Sequence, residues 1–389
     1  SHVAQDLRYG FLGHIAVALI EAADITDDGE IVLTTSVGIT PTIAKSANKI
    51  IIELNTHHPA SILGMHDLYE PANPPYRREI PIYTSSDRIG TATLKVDKSK
   101  VLGVVLTDMP DGIAAFTTVD AVTAKIGQNV ADFLLSELKI GRIPKEFLPL
   151  QSGVGNIANA VLGSLGECQD IPAFTMFTEV IHNYVISLME KGRISFASGS
   201  SLTLSDEVLQ TVYNDYSFYG PKLMLRPQEI TNHPELSRRL GVIAINTALE
   251  ADIFGNVNST NVLGQKMMNG LGGSADFARN AYLSIFTCPS VAKKGVISAI
   301  VPMVSHLDSS EHSVKILVTE QGVADLRAKS PLQKAQTIIE NCVHPEYKEL
   351  LWDYLKIQMG KCHTPMALTK ALQMHIAFEE TGDMRNAKF

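Results

Sequence analysis

Short apolar runs alternate with helical patterns along this chain, and this alternation constrains the fold more than any other feature of the sequence. Apolar residues repeat every three or four positions from Val119 to Leu134, and this predicted helix ends before Pro144. Ser330, followed by a proline, is the expected N-cap of a later helix. Strands are predicted over residues 14–20, 31–34, 49–53, 101–106, 174–177, 242–245 and 297–301. The pattern predicts an α/β fold.

The chain is too long, at 389 residues, for one ordinary domain. A break is predicted in the stretch "RIPKEFLPL", residues 142–150, which carries two prolines and no hydrophobic period. We therefore expect an N-terminal α/β domain over residues 1–145 and a C-terminal α/β domain over residues 146–389. Each is predicted to be an open mixed sheet covered by helices, with the active site in the cleft between them.

Charge and composition exclude several classes of partner. The net charge is -8 and the basic residues are scattered, so no nucleic-acid partner is expected. No apolar run approaches the ~20 residues of a membrane span, which predicts no membrane partner. The cysteines are far apart and form no C-x-x-C pair, so neither disulfides nor a metal site is predicted, and we expect a cytoplasmic location. The chain begins without an initiator methionine or a signal-peptide pattern, so its N-terminus is expected to be cut.

The stretch "QSGVGNIANAVLGSL" has the spelling of a dinucleotide-binding fingerprint, with Gly153, Gly155 and Ala158 at G-x-G-x-x-A spacing. That fingerprint needs a buried strand in front of it, and "KEFLPLQ", broken by Pro149, is a poor strand. A tight turn that leads into a helix is the simpler interpretation. Backbone N–H groups at such a turn suit a developing oxyanion as well as a phosphate.

A second glycine-rich stretch, "NGLGGSADFARNAY", places Gly270, Gly272 and Gly273 before an expected helix start at Ser274. Glycines let a ligand approach the backbone closely, because they have no Cβ and tolerate positive φ. An ordinary helix-capping turn is the competing interpretation. The stretch "ALEADIFGNVNSTNV" predicts a hairpin with its turn at Gly255.

Two glutamates follow predicted strands. Glu179 comes after the β-prone residues 174–177, where helical spacing begins, and the helix dipole alone would favour an acid in a first helical turn. Glu320, in "VTEQGVADLR", again follows an apolar strand and precedes an expected helix start. Strand ends are where α/β sheets gather active-site residues, so both glutamates are candidate site residues.

Seven stretches together resemble one known family. They are "SGVGNIANAVL", "MFTEVI", "EITNHPE", "ALEADIFGNVNST", "GLGGSADFARNAY", "IVPMVSHLDSSEH" and "VTEQGVADLR". In this order and at these intervals they resemble the acetyl-CoA hydrolase/transferase family of class I CoA-transferases. The resemblance extends through essentially the whole chain, although family members have a further segment before the first residue here.

The resemblance implies roles for individual residues. Glu179 falls on the family's catalytic glutamate, which attacks the acyl-CoA thioester and becomes a glutamyl-CoA thioester in a ping-pong reaction. The backbone N–H groups of Val154, Gly155 and Gly273 are expected to stabilise its oxyanions. The remaining implied site residues are Asn232 and Glu320 in the active site, and Gly270, Gly272, Gly273, Ser274 and Lys293 around the CoA.

The expected activity is transfer of CoA between small carboxylic acids such as acetate, propionate and succinate. Coenzyme A and acyl-CoA are substrates, no cofactor is expected to be bound permanently, and a carboxylate nucleophile requires no metal. A homodimer is expected. Three alternatives stay open: acyl-CoA hydrolysis at the same site, a nicotinamide-dependent oxidoreductase, and a non-catalytic acyl-CoA-binding protein.

Overall fold

A computed structural model of the chain describes residues 2–113 and 118–389. Its strands are β1 (Val17–Ile25), β2 (Ile31–Leu33), β3 (Lys49–Asn55), β4 (Val101–Thr107), β5 (Leu150–Ser152), β6 (Phe174–Phe177), β7 (Val180–His182), β8 (Ile194–Gly199), β9 (Ser201–Thr203), β10 (Leu223–Leu225), β11 (Ile243–Thr247), β12 (Glu250–Asp252), β13 (Val257–Asn258), β14 (Asn261–Val262), β15 (Lys266–Met267), β16 (Leu283–Thr287), β17 (Val291–Ala292), β18 (Ile297–Ser298), β19 (Ile300–Val301), β20 (Ile316–Thr319) and β21 (Gly322–Asp325).

The helices complete the alternation that the sequence predicts. They are α1 (Val3–Arg8), α2 (Thr40–Ser46), α3 (Ala121–Lys139), α4 (Asn156–Glu167), α5 (Asn183–Glu190), α6 (Asp206–Asn214), α7 (Tyr216–Tyr219), α8 (Gln228–Thr231), α9 (Pro234–Leu240), α10 (Ser274–Asn280), α11 (Pro331–Cys342), α12 (Pro345–Lys356) and α13 (Gln373–Thr381). No helix in the described part of the chain combines the length and apolar character needed to cross a membrane.

The chain forms two compact units, and each contains several separate segments. The first unit comprises the described residues within 1–115, 148–151 and 173–242, and the second those within 116–147, 152–172 and 243–389. The chain passes from the second unit to the first between Phe147 and Leu148, inside the predicted break over residues 142–150. The units nevertheless differ from the predicted division at residue 145, because β6 and β8 pair in the first unit although both follow that loop.

The first unit holds a mixed sheet of strand order β2-β1-β3-β4. Strands β1, β3 and β4 run parallel, with Asn55 opposite Thr107 near the ends of β3 and β4, whereas β2 is antiparallel to β1. Ile20, Ile50 and Ile52 are buried on these strands. A second set of strands in this unit, β10-β8-β6-β5, is parallel throughout.

The second unit contains the strand order β11-β16-β20-β21, in which β21 alone runs antiparallel to its neighbour. Its helices pack closely at one glycine, because a Cβ on Gly127 of α3 would lie 2.5 Å from the carbonyl oxygen of Ala160 on α4. A large buried cluster joins β16 and β20 to α11, α12 and α13, with Phe286, Tyr347 and Tyr354 among its members. The predicted α/β class with open mixed sheets is confirmed.

Several predicted elements are confirmed in detail. The predicted helix from Val119 to Leu134 is α3, which ends at Lys139 before Pro144, Ser330 caps α11, and β12 and β13 form the predicted hairpin. The prediction that the stretch before Gly153 is a poor strand is wrong. Strand β5 begins directly after Pro149, and Leu150 is buried and pairs with Met176, because the proline lies outside the ladder that it would interrupt.

Candidate active site

Glu179 lies in the short link between β6 and β7 in the first unit. Strand β6 ends at Phe177, so Glu179 lies just after a strand end, as predicted. Helix α5 begins only at Asn183, so the alternative interpretation of an acid in a first helical turn is wrong. The intervening residues Val180 to His182 pair with β9 instead, which takes their backbone groups into a ladder before the helix can begin. The helix dipole is therefore not what places a carboxylate here.

Backbone hydrogen bonds hold the Glu179 link on both sides. The N–H groups of Ser200 and Ser201 donate to the Glu179 carbonyl at 2.7 and 3.2 Å, and Thr178 N–H donates to the Ser198 carbonyl at 2.9 Å. Gly199 makes this approach possible, because a Cβ there would lie 2.9 Å from the Ile181 side chain. The Glu179 side chain, half-buried, projects from a fixed backbone.

Gln228 contacts the Glu179 carboxylate, and sequence reasoning missed it. Its Nε2 donates to Oε1 of Glu179 at 2.9 Å, and its backbone N–H donates to the Gly38 carbonyl at 2.8 Å. The two side chains are 49 residues apart in the chain. Only its position four residues before Asn232 in "QEITN" hints at a role, since residues at this spacing lie on one helical face.

Asn232 ends helix α8 and carries a buried amide. Its Oδ1 accepts a hydrogen bond from the Thr231 hydroxyl at 2.9 Å, whereas its Nδ2 has no partner within the described chain. Its backbone N–H donates to the Gln228 carbonyl, so it lies one turn from the residue that contacts Glu179. A buried donor without a partner costs about 1–3 kcal/mol, which a substrate oxygen would offset.

Arg226 holds strand β8 next to the Glu179 link. It is fully buried, forms an ion pair with Asp67, and donates from Nε to the Ser198 hydroxyl at 2.8 Å. Burial lowers the pKa of Arg226 to about 10, although the negative charge of Asp67 raises it in part. Because the Ser198 carbonyl in turn accepts from Thr178, this network fixes the strand beside the Glu179 link.

The Gly153–Gly155 turn in the second unit leads from β5 into α4, as predicted. Gly153 N–H donates to the Ile245 carbonyl at 3.0 Å, and Gly155 has a φ of 100° that favours glycine. Within the described chain, the N–H groups of Val154 and Gly155 make no hydrogen bond to the protein. The turn thus presents two donors at the positive end of a 12-residue helix.

The 270–274 loop precedes α10, which begins at Ser274 as predicted. Gly270 and Gly272 are exposed, and of the three glycines only Gly272 adopts a left-handed conformation, with φ 56°. Gly273 is an ordinary helical N-cap at φ -84°, so conformational freedom does not account for a glycine there. The buried hydroxyl oxygen of Ser274 has no partner in the described structure.

Lys293 stands in a strained segment. Both Lys293 and Lys294 have left-handed φ values, 47° and 59°, which non-glycine residues rarely adopt in succession. The Lys293 ammonium lies 5.1 Å from the centre of the Phe378 ring. The residue also borders an apolar cavity of about 170 Å³ that Leu263 and Ile297 help to line.

Glu320 occupies the turn between β20 and β21, not a helix start as predicted, because residues 322–325 pair back onto β20. Its carboxylate accepts hydrogen bonds from the backbone N–H of Ser290 at 2.8 Å, from the Ser290 hydroxyl, and from Gln321 at 3.0 Å. Burial alone would raise the pKa of Glu320, but these hydrogen bonds outweigh it and lower the pKa. Ser290 lies three residues before Lys293, so Glu320 anchors the segment that carries the lysine.

Within the first unit, the structure therefore joins Glu179 to Asn232 through Gln228. Within the second unit, it joins Glu320 to the Lys293 segment through Ser290. In the first group, the Gln228 amide orients the Glu179 carboxylate, as nucleophilic attack requires. In the second group, Glu320 anchors the segment that carries the Lys293 ammonium, which suits an anionic substrate.

Two family models match the chain. Residues 1–106 match the acetyl-CoA hydrolase/transferase N-terminal domain, and residues 210–355 match the acetyl-CoA hydrolase/transferase C-terminal domain. A propanoyl-CoA:succinate CoA transferase of Escherichia coli (strain K12) is 49% identical over 384 residues, covering 99% of this chain and 78% of the relative. A succinyl-CoA:acetate CoA-transferase of Clostridium kluyveri is 48% identical, covering 99% of this chain and 72% of the relative.

An acetyl-CoA hydrolase of Schizosaccharomyces pombe is 45% identical, covering 98% of this chain and 76% of that protein. Among solved structures, a 4-hydroxybutyrate CoA-transferase from Porphyromonas gingivalis superposes with a TM-score of 0.69 at 24% identity, covering 92% of this chain and 79% of that one. The structural likeness shows the fold, and the sequence relatives show the family.

Proposed function

The chain belongs to the acetyl-CoA hydrolase/transferase family, and we propose that it transfers coenzyme A between small carboxylic acids of the acetate, propionate and succinate class. The observation that carries this proposal is the near-full-length identity of 49% and 48% to two proteins named as CoA-transferases of such acids. Acyl-CoA and free carboxylates are then the substrates, and CoA is not a permanently bound cofactor.

Glu179 is proposed as the nucleophile. Its carboxylate attacks the thioester carbonyl, the C–S bond breaks, and an acyl-glutamyl anhydride and CoA thiolate form. The thiolate then attacks the glutamyl carbonyl, which releases the original acid and leaves CoA as a thioester on Glu179. An acceptor carboxylate reverses the two steps. The Gln228 hydrogen bond at 2.9 Å supports this role, because it orients one carboxylate oxygen without neutralising the charge.

Each step passes through a tetrahedral oxyanion. The Val154 and Gly155 N–H groups are the proposed donors, because both lack acceptors in the described chain and lie at a helix N-terminus. The Gly273 N–H is proposed as a further donor. A well-aimed oxyanion donor contributes about 2.7–4 kcal/mol to transition-state stabilisation. Asn232 is proposed to donate its buried amide to a substrate oxygen.

CoA is proposed to lie along the 270–274 loop with Lys293 near its phosphate or pantetheine oxygens. The unpartnered Ser274 hydroxyl and the exposed backbone at Gly270 and Gly272 support this placement. Glu320 is proposed as a positioning residue, since it holds Ser290 and with it the start of the Lys293 segment. Binding energy from these remote contacts would press the thioester against the nucleophile.

Hydrolysis at the same site is the second candidate, because an acetyl-CoA hydrolase is 45% identical to this chain. Water would attack the glutamyl-CoA thioester in place of an acceptor carboxylate, so exclusion of water decides between the two outcomes. Release of free CoA, followed with a thiol reagent with and without acetate, propionate or succinate, separates them. A transferase forms a new acyl-CoA only with acceptor, whereas a hydrolase releases CoA without one.

A nicotinamide-dependent oxidoreductase is the weaker alternative. The poor strand predicted before Gly153 is an argument against nicotinamide binding, but β5 is present at that position, so this argument no longer applies. Family membership now argues against it instead. An absorbance change of NADH that depends on the protein would favour this alternative.

A homodimer and a cytoplasmic location are also proposed. A homodimer is supported because soluble oligomers are most often symmetric dimers. Light scattering that gave a monomer mass at micromolar concentration would contradict the homodimer. The cysteines are far apart in the sequence and form no C-x-x-C pair, which supports a reducing compartment.

The decisive experiment traps the intermediate on the intact enzyme. Incubation with acetyl-, propionyl- or succinyl-CoA in the absence of an acceptor should add the mass of CoA less one water to the peptide that contains Glu179, and borohydride should reduce the thioester to an alcohol. Glu179→Ala should carry no adduct and should lose transfer. Glu190→Gln, a change in the glutamate at the end of α5 that accepts a hydrogen bond from the Tyr219 hydroxyl, should keep both. Transfer at the parental rate in Glu179→Ala would end the proposal.

The same experiment separates the non-catalytic alternative. A protein that only binds acyl-CoA would retain the ester without acquiring a covalent adduct, and gel filtration under denaturing conditions would remove it completely.

A further inference from the structure

A buried histidine faces two carboxylates in the first unit, and none of the three is among the residues proposed for catalysis. Glu21 lies on β1, His58 follows β3, and Asp111 follows β4. The His58 Nε2 is 3.7 Å from Oε1 of Glu21 and 3.6 Å from Oδ1 of Asp111. One ligand atom from each of the three residues lies within 4.8 Å of the others. These residues meet near the carboxyl ends of three parallel strands, where α/β sheets bind ligands.

Neutral donors hold both carboxylates in place. Glu21 accepts hydrogen bonds from Asn55 and Thr34, each at 2.7 Å, and Asp111 accepts one from Thr35 at 2.6 Å. Among residues 2–113 and 118–389, no lysine or arginine nitrogen lies within 4.0 Å of either carboxylate. Two negative charges therefore face each other with no fixed cation beside them.

The histidine nitrogen that points at the carboxylates has no hydrogen-bond partner in the described chain. His58 is 1% exposed, and its Nε2 distances exceed the range of a hydrogen bond. Its Nδ1 lies 2.7 Å from the Tyr213 hydroxyl. If Nδ1 donates to this hydroxyl, the Nε2 lone pair points between two anions. That arrangement is repulsive when empty and suits a metal ion, whose histidine ligands usually donate their other N–H to an oxygen.

We propose that Glu21, His58 and Asp111 bind a divalent transition-metal ion of the Zn²⁺ or Mn²⁺ type. One imidazole and two carboxylates provide the mixed N and O ligands that such ions accept, and the charge of the ion cancels that of the carboxylates. Ligand atoms about 2.0–2.2 Å from one ion lie roughly 3–3.5 Å apart. His58 therefore needs to close by only a few tenths of an ångström toward each acid, whereas the two carboxylate oxygens, which lie within 4.8 Å of each other, need to close by up to roughly 1.3–1.8 Å.

The ion would stabilise the first unit and would take no part in the proposed acyl transfer. The Thr35 side chain contacts Asp111, and the Thr35 carbonyl accepts from Leu202 N–H at 2.8 Å, beside the serines that hold the Glu179 link. The sequence predicts no metal, because its cysteines are far apart and form no C-x-x-C pair, and the three positions proposed here are brought together only by the fold. The proposal rests on geometry alone and is independent of the proposed function.

Metal binding to the full chain, purified without a histidine tag and stripped with EDTA, tests this proposal. Mn²⁺ is added at neutral pH and free Mn²⁺ is followed by its electron paramagnetic resonance signal, with Zn²⁺ as a competitor. We expect one ion per chain, and we expect Glu21→Gln, His58→Gln and Asp111→Asn each to weaken binding by at least ~10-fold to 100-fold. Binding should also raise the melting temperature of the parent chain and not that of these variants.

Two matched variants control for charge and for histidine content. Glu53→Gln removes the carboxylate opposite Glu21 on β3, and His57→Gln removes the neighbouring imidazole, which contacts Asp206 at 2.7 Å. Both should bind Mn²⁺ within roughly threefold of the parent, since neither supplies a ligand. The proposal is overturned if the parent binds less than a stoichiometric ion at saturating metal, or if the control and ligand variants lose binding equally.

Discussion

Glu179 and Glu320 both follow a parallel strand, but their surroundings differ. After Glu179 the chain enters β7, which pairs with β9, whereas after Glu320 it turns back along β20. Glu320 accepts three hydrogen bonds from Ser290 and Gln321, and these lower its pKa. Glu179 receives an orienting amide from Gln228. An acid at a strand end can therefore serve as a nucleophile, as proposed for Glu179, or as an anchor, as proposed for Glu320. The hydrogen-bond donors around the carboxylate distinguish the two roles.

Shortening each glutamate by one methylene should produce the largest contrast. Glu179→Asp retracts the nucleophile by more than ~1 Å and should lower kcat on the order of 10²-fold, because attack depends on close approach. Glu320→Asp should change kcat by less than about threefold and act mainly on the KM for acyl-CoA, since a positioning residue affects binding. Steady-state kinetics with one acyl-CoA and varied acceptor measure both effects. Equal losses of kcat in the two variants would break the distinction.

Much of the fold could be predicted because its signals are local. The strand over residues 174–177 follows from its β-prone residues and helix α3 follows from apolar periodicity, and the structure places both there. The errors at Glu179 and Glu320 have one cause. In both places a short stretch that could have begun a helix forms a strand instead. After Glu179 this stretch pairs with β9, and after Glu320 it pairs back onto β20, and no local sequence pattern indicates either partner.

The candidate site was less predictable than the fold. Its motif residues came from the family resemblance, and their roles stay predictions. Gln228 and Ser290 contact the two glutamates from 49 and 30 residues away, so only the folded chain brings them together. The same holds for Glu21, His58 and Asp111, which lie on three different strand ends. Side-chain contacts of this range are set by topology, which single-sequence patterns do not contain.

Removing the cation near the anchored acid should give a smaller effect. Lys293→Ala should raise the KM for acyl-CoA by about fivefold at low salt, because one exposed charge contact is lost, and the effect should shrink at high salt as screening increases. Lys294→Ala is a matched control, since Lys294 shares the exposure and the left-handed backbone of its neighbour. Initial rates at two ionic strengths provide the measurement. An unchanged KM in Lys293→Ala at low salt would remove the lysine from the CoA site.

The smallest effect should appear in the pH dependence of stability. Hydrogen bonds lower the folded-state pKa of Glu320 below its unfolded value, so the carboxylate stabilises the fold above the unfolded pKa. That contribution is lost as the pH falls from about 4.3 through the folded pKa. Glu320→Gln should therefore reduce the free energy of unfolding by about 1 kcal/mol at neutral pH, a value at the low end for charged hydrogen bonds because the group is only half-buried.

Urea unfolding of the parent, Glu320→Gln, Ser290→Ala and the double variant, from neutral pH to pH of about 3, isolates this contribution. The coupling between Ser290 and Glu320 should be present at neutral pH and should decline in acid, because the Ser290 donors interact more strongly with the ionised carboxylate. A coupling that stays constant across this range would mean that Glu320 is held by neutral hydrogen bonds. The lowered pKa would then not explain why this acid is an anchor, and the contrast with Glu179 would rest on kinetics alone.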